Sequence, residues 1–418
     1  MIVTGQQPAV GGGPLYTLVK VAHAVALSKQ ENKAKRVDQV GQPAEPVVFW
    51  CASEDHDLGE AGHADVVLRD GSIRRFTSTL GGGRHSLSFR PARLWWDDLF
   101  SFMDQQVGPG PGSAFLRAQA PLGDDEGMGA WLCRLITALF PTVEALEGRA
   151  LRPRWTATMA RAVTHWPSAE LAELRTRLLA EGAADAFGPL DDPPLFSDLP
   201  SGRTALDRSE AQQLLDAGRG ADLSPGAALR PVLQQAALPC TTYVGGPGEL
   251  AYHRFIMPAY AALRVVAPQL VPRCSLTLVP GWCQRALSRW GITADEAATW
   301  HAPERVPGPV DDQRLTALDA AMNLLRDEPR VAGSLRRLAA ERAHLARRLA
   351  RLERERLELP ALGPLRSYLA PRGGRQERTM SLFQAVWEHG PGLARTLEAA
   401  AASTLAVHSP SNHRYVLL

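Results

Sequence analysis

Lysine is nearly missing from this chain of 418 residues. It occurs only at Lys20, Lys29, Lys33 and Lys35, so arginine supplies 42 of the 46 basic residues. A GC-rich genome would produce that bias. Its mechanistic consequence is that any phosphate-neutralising lysine must be one of these four, and Lys20 is the best placed. Long apolar runs are also missing: none approaches the ~20 residues of a membrane-spanning helix. No basic segment followed by an apolar stretch opens the chain, so a signal peptide is not expected and the cytoplasm is. Neither sign of charge is in excess. With a formal net charge of +2, neither nucleic acid nor an anionic membrane is implied as a partner. The five cysteines, Cys51, Cys133, Cys240, Cys274 and Cys283, include no CxxC pair. That argues against a zinc site or disulfide framework and fits a reducing compartment. Neither GxxxxGK[ST] nor GxGxxG occurs, so the chain carries no P-loop and no dinucleotide fingerprint.

What is present is an ordinary globular composition, 45% hydrophobic and 22% charged, in a chain long enough for two or more domains. One stretch organises the rest. Pro46-Val47-Val48-Phe49 reads as a short buried strand, and Glu54-Asp55-His56-Asp57 follow it after Trp50-Cys51-Ala52-Ser53. Burying three carboxylates and an imidazole is costly unless they are paired or solvated. The mouth of a sheet, where a strand hands over to a loop, leaves such a group wet and usable. The alternative is a solvated acidic loop that caps the next helix.

Two further stretches have the form strand, glycine-rich turn, helix. The first is Ile2-Val3-Thr4-Gly5-Gln6-Gln7, then Gly11-Gly12-Gly13-Pro14 and an amphipathic run in which Leu15, Leu18, Val19, Ala22 and Val25 recur at helical spacing. Pro14 stands where proline is favoured, at the first helical position. Such a turn is a natural anion site, because glycines let the backbone approach and a helix N-terminus presents free N–H groups. The second is Leu238–Val244, Gly245-Gly246-Pro247-Gly248 and a helix beginning near Glu249, with Tyr252 on the same face. A strand over Leu270–Leu278 follows. Two turns of this kind suggest two sides of one cleft in a parallel sheet.

Elsewhere, residues 32–45 read as an exposed connection, 64–68 and 73–76 as strands about the Asp70-Gly71 turn, and 95–107 and 127–139 as helices. A strand near Val143 and two helices lead to residues 182–204, whose Pro, Asp and Gly predict an irregular excursion. After about 310 the pattern changes. Positions 335, 338, 342, 345, 349, 352, 356 and 359 keep a heptad rhythm in which all but Arg342 and Arg356 are Leu. This predicts a protruding coiled coil, with a homodimer formed through it. Two more helices, near 376–389 and 392–403, and an apolar tail complete the chain.

Together these stretches resemble the cysteine ligases of bacillithiol biosynthesis, the BshC family. The matching residues are Thr4–Gln7 with Gly12–Tyr16; Phe49-Trp50 with Ser53–Asp57 and His63; Leu229-Arg230-Pro231 with Gln234; Gly246–Glu249 with Tyr252; Pro272-Arg273; and Gln376-Glu377-Arg378. Their order runs through nearly the whole chain. The resemblance implies an α/β fold: a Rossmann-like, nucleotidyltransferase-like parallel-sheet core with helical insertions and a C-terminal coiled-coil segment. The expected division is 1–308 for the core, with insertions at about 95–225, 309–375 for the coiled-coil region, and 376–418 for helices and a tail on the core. The implied reaction joins the carboxyl group of cysteine to the amine of glucosaminyl-malate, with ATP expected to activate the carboxylate. This sequence departs from its relatives in three ways. It begins almost at Gly5-Gln6-Gln7 where they carry more sequence, it has Gly59 where they have a carboxylate, and it lacks the HxGH signature of the wider superfamily.

Amide formation needs an activated carboxylate, held phosphates and a base. The catalytic candidates are Glu54, Asp55, His56 and Asp57, with His56 as general base and Asp55 and Asp57 as ligands for Mg²⁺. The binding candidates are Gly5, Gln6, Gln7, Gly12, Gly13, Lys20, Gly246, Gly248, Glu249, Tyr252 and Arg273, with Glu249 on an ammonium group. Two other readings stand beside this one: a nucleotidyltransferase-like enzyme acting on another small acid, and a truncated, non-catalytic scaffold.

Overall fold

Ile2, Val3, Thr4 and all of Val47–Cys51 are buried. Strands buried on both faces need helices on both faces, the condition of a parallel sheet inside an α/β sandwich. The computed structural model, which describes residues 1–38, 45–81, 83–300, 313–326, 332–358, 362–406 and 413–418, has that arrangement. The described strands are β1 (Ile2–Gln6), β2 (Val47–Cys51), β3 (His63–Val67), β4 (Ile73–Thr77), β5 (Val143–Glu147), β6 (Leu195–Leu199), β7 (Gly202–Leu206), β8 (Leu223–Pro225), β9 (Thr242–Gly245), β10 (Gln269–Pro272), β11 (Ser275–Val279) and β12 (His413–Leu417).

β10, β9, β1, β2 and β5 form, in that order, one all-parallel sheet. The chain starts at the centre, steps outward through β2 and β5, then crosses back and steps outward through β9 and β10. The order therefore reverses between β1 and β9. In open parallel sheets such a reversal opens a crevice at the carboxyl ends of the strands. This is the Rossmann-like α/β core that the sequence predicts.

The chain divides into two units, one of Met1–Leu68, Ile73–Gly281 and Gly374–Leu418, the other of Arg69–Ser72 and Trp282–Gly373. In the first unit the core joins Val3, Val48 and Trp50 of the sheet to Trp155 and Met159 of the helix Arg152–Thr164 and to Val232 and Leu233 of the helix Arg230–Ala237. The helix Tyr16–Asp38 packs against Leu393–Ala406. Its early turns are buried all round, Val21 and Ala24 as fully as Leu18 and Ala22. A single apolar stripe was the expectation; a helix between a sheet and a second helix has no solvent side.

Other differences have local causes. Pro14 precedes the helix and forms a bridge with Ser381. The helix runs to Asp38, and the remainder of the expected connection, 39–44, lies outside the described residues. The strand expected over 270–278 breaks at Arg273-Cys274: β10 stays in the main sheet, and β11 pairs in parallel with the apolar tail, β12. The excursion 182–204 contains a hairpin: β6 pairs antiparallel with β7 and β8. β3 and β4 form the predicted antiparallel pair.

In the second unit the helices Gln313–Leu324 and Ala332–Glu358 lie side by side, with Arg342 ion-paired to Asp319. Leu335, Leu338, Leu345 and Leu349 of the heptad seam are half-buried. The side chains at 352 and 356, and residue 359, fall outside the described residues.

Candidate active site

A cleft of about 890 Å³ opens where β1, β2 and β9 end, within the size range of small-molecule sites. Three turns singled out by sequence meet there: Gly5, Gln6 and Gln7 after β1; Asp55, His56 and Asp57 after β2; and Gly246, Gly248 and Glu249 after β9. Tyr16, Lys20, Tyr252 and Arg273 also line it, as do Arg84, Arg230 and Arg378.

The first turn divides its labour. β1 lies so close to β2 that a Cβ on Gly5 would stand 2.8 Å from the Trp50 carbonyl oxygen. Gly12 and Gly13 have φ of 80° and 82°, in the region that favours glycine. Their N–H groups donate to the carbonyls of Ala9 and Val10, and the Gly13 carbonyl accepts from Leu382 N–H at 2.7 Å. Gly12 and Gly13 therefore do not line the cleft. The turn that reads as a phosphate cradle is packed against the helix Leu382–His389, and of this segment only Gly5–Gln7 and the helix residues Tyr16 and Lys20 line the cleft.

Lys20 and Glu249 hold the mouth together. Lys20 is 1% exposed. Its Nζ donates to Gly5 O at 2.7 Å and Gln6 Oε1 at 2.9 Å, and pairs with Glu249 Oε2 at 2.5 Å. Burial lowers its pKa, and Glu249 opposes that shift. Three ammonium hydrogens thus meet three acceptors. Glu249 Oε2 also accepts Gly246 N–H at 2.7 Å, and Oε1 accepts the Tyr243 hydroxyl at 3.0 Å. Both charges are committed to the protein.

The acidic turn separates into four different environments. Glu54 is fully buried and does not line the cleft. Arg152 Nε donates to its Oε1 at 2.7 Å, and Arg152 also pairs with buried Asp198. Burial raises the Glu54 pKa against the pull of Arg152. Asp57 is the N-cap of the short helix Leu58–Ala61, its Oδ1 accepting from Gly59 N–H at 2.8 Å and Glu60 N–H at 3.3 Å. The helix-cap alternative thus describes this residue. Asp55 Oδ2 meets Arg230 Nη1 at 3.2 Å, and its Oδ1 accepts His56 N–H at 2.7 Å. Burial alone would raise the Asp55 pKa; Arg230 and the N–H bond outweigh it and hold the carboxylate below its ordinary value. His56 Nδ1 stands 2.7 Å from Arg203 Nη1. Burial and Arg203 both push its pKa down.

The two carboxylates expected to hold Mg²⁺ are engaged within the protein, Asp55 by Arg230 and Asp57 by a helix start. Among the described residues no group of three or more His, Cys, Asp or Glu is arranged to hold a metal.

Arg273 Nη1 donates to Cys274 O at 2.8 Å and Glu377 Oε1 at 2.6 Å. Glu377 also accepts Leu276 N–H at 2.8 Å, and Gln376 pairs with both the N–H and carbonyl of Leu278. Gln376 and Glu377 thus clamp β11, while the neighbouring Arg378 is exposed at the cleft. Tyr252 stacks on His253 at 5.3 Å and meets Phe187 at 5.5 Å, giving the cleft an aromatic wall. The contributors absent from the sequence candidates include Arg84, Arg378, Arg203, Arg230 as the Asp55 partner, Tyr16, and Glu60, whose pKa is raised by burial and by Asp57 and Asp55. Arg230 was visible within Leu229-Arg230-Pro231. Arg203 carried no signal, since it sits in a stretch that reads as irregular.

Fold and cleft together define an α/β protein with a Rossmann-like core and a small-molecule site at the reversal of strand order. The sequence profile of the N-terminal Rossmann-like domain of bacillithiol biosynthesis BshC matches residues 1–111 and 202–274. Three bacterial relatives each carry the name "Putative cysteine ligase BshC". The one from Koribacter versatilis is 29% identical, over 96% of this chain and 82% of its own. That from Heliobacterium modesticaldum is 27% identical, over 97% and 82%, and that from Geobacillus thermodenitrificans 26%, over 96% and 82%. The chain is thus similar along nearly its whole length to proteins of the BshC family.

Proposed function

We propose that this protein is a ligase that joins the carboxyl group of cysteine to the amine of glucosaminyl-malate, forming bacillithiol, with ATP activating the carboxylate. The observation that carries the reading is the convergence of Gly5–Gln7, Asp55–Asp57 and Gly246–Glu249 on one cleft at the strand-order reversal, in a chain similar along nearly its whole length to proteins named as putative cysteine ligases. The size of the cleft and its arginines suit an anionic co-substrate beside a small amino acid. Arg230, oriented by Asp55, and Arg378 at the rim would hold anionic oxygens, and the aromatic wall at Tyr252 would exclude water from one side.

In the reaction the amine nitrogen bonds to the acyl carbon. The bond from that carbon to the activating group's oxygen breaks, its electron pair leaves with that group, and the amine proton passes to a base. The same reading places a cytoplasmic homodimer around the Leu-rich helices, with 1–308 as the catalytic part, 309–375 as the helical arm and 376–418 completing the core. The test is the thiol pool of a strain lacking the gene. Loss of bacillithiol with accumulation of glucosaminyl-malate is expected; normal bacillithiol without a second gene copy would remove the assignment.

A further inference from the structure

The partner of His56 is an arginine, and an arginine only donates. Arg203 is 3% exposed. Its guanidinium is fixed on three sides: Nη2 donates to Pro225 O at 2.8 Å, Nε and Nη2 reach Ser224 Oγ at 3.3 Å, and the plane lies 3.7 Å from the Phe196 ring centroid. The fourth direction is Nη1, which meets His56 Nδ1 at 2.7 Å. Burial beside Arg230 lowers the Arg203 pKa only to about 10, so it remains a cation at neutral pH. Nδ1 must therefore be an acceptor, without a proton. Of the two carboxylates that act on the ring, Asp55 and Asp57, Asp55 Oδ1 is 3.9 Å from Nδ1, beyond hydrogen-bond reach. This is the opposite of a histidine–aspartate pair, in which the carboxylate accepts a hydrogen bond from Nδ1–H and so leaves Nε2 bare as a base. Here the neutral ring carries its proton on Nε2. His56 lines the cleft, and among the described residues Nε2 has no protein partner.

We infer that Arg203 is a positioning residue that locks His56 as an Nε2–H donor aimed at a substrate oxygen in the cleft, and that His56 is not the proton-accepting base. The identity of that oxygen rests on the ligase reading: it is the acyl oxygen, on which charge develops as the amine attacks. A fixed donor there acts as one arm of an oxyanion site. Arg203, at the ring's far side, touches no substrate.

Two measurements test this, and they fail separately from the ligase reading. The first is nitrogen NMR of the intact protein carrying ¹⁵N-histidine, with the His56 signals identified by their loss in His56→Gln. A protonated Nε2 and bare Nδ1 are expected, and Arg203→Met should abolish that pattern. A protonated Nδ1, or a charged ring at neutral pH, overturns the inference whatever the protein catalyses. The second is kinetics of the ligation. Glutamine can still donate from near the Nε2 position but cannot act as a base. For a lost donor, His56→Ala should cut kcat by about 10²–10³-fold, and His56→Gln by about tenfold. Arg203→Met should lower kcat with little change in KM, and Arg203→Lys should recover part of it. Equal losses in His56→Gln and His56→Ala would restore the base role. Absence of ligation by the unmodified protein would sink the ligase reading and leave the NMR result standing.

Discussion

Lys20 Nζ and Glu249 Oε2 lie 2.5 Å apart across the reversal between β1 and β9. One comes from the helix after β1, the other from the helix after β9. The pair ties the two halves of the sheet together at the place where a ligand would enter. Breaking a buried pair by removing one partner leaves an uncompensated charge, at a cost of about 3–5 kcal/mol; Glu249 is one-fifth exposed, which puts this pair at the lower end. Lys20→Met should accordingly lower the thermal midpoint, read by calorimetry. An unchanged midpoint with lost nucleotide binding would return Lys20 to the phosphate role that composition suggested.

The neighbouring Glu54 makes the sharpest contrast with its loop. With Arg152 and Asp198 it forms an ion triad buried beneath the cleft. Glu54→Ala should destabilise the fold by about 3–5 kcal/mol, seen as a lower midpoint in urea. Asp57→Ala removes only an exposed helix cap and should cost about 1 kcal/mol. Equal midpoints for the two variants would contradict the triad's structural role.

Acid should weaken the fold through its buried histidines. His23, whose Nδ1 accepts Cys274 N–H at 2.9 Å, and His253 and His389 each have pKa values lowered to about 4, chiefly by burial. A folded-state pKa below the unfolded value of about 6.5 means that the unfolded chain binds protons first. Stability from these groups is complete above pH 6.5 and is lost as pH falls through about 4. Unfolding free energy measured from pH 7 to pH 4 should decline, and His23→Asn, which keeps an acceptor but cannot charge, should flatten the slope. A slope unchanged in that variant removes His23 from the account.

The half-buried Leu335, Leu338, Leu345 and Leu349 lead to an expected dimer. Sedimentation at micromolar concentration should give twice the chain mass, and Leu338→Glu with Leu345→Glu should give a monomer. A monomeric unmodified protein would confine these leucines to the hairpin with Gln313–Leu324.

The parts legible in the sequence were those with local signatures. Apolar strands ended by glycine-rich turns gave β1 and β9, an apolar strand ended by the acidic turn gave β2, and their common edge located the cleft. Long-range pairings left no local trace. Nothing near Lys20 announces Glu249, nothing near Glu54 announces Arg152, and Arg203 lies in a Pro- and Asp-rich stretch that folds as β6 and β7 only because each strand pairs with the other and β8 completes the sheet. The acidic turn read as one functional group because its residues adjoin in sequence. In the fold, successive side chains leave it in different directions, toward Arg152, Arg230, Arg203 and a helix start. Glycine signals were ambiguous for a related reason: Gly5 and Gly12 are both required by close packing, yet only Gly5 faces the cleft.

The most direct test of the central claim is mass spectrometry of a reaction containing the purified protein, glucosaminyl-malate, cysteine and ATP. The account predicts a product with the mass of bacillithiol, formed in step with ATP consumption and depending on all three substrates. Intact glucosaminyl-malate after prolonged incubation with folded, dimeric protein would contradict it.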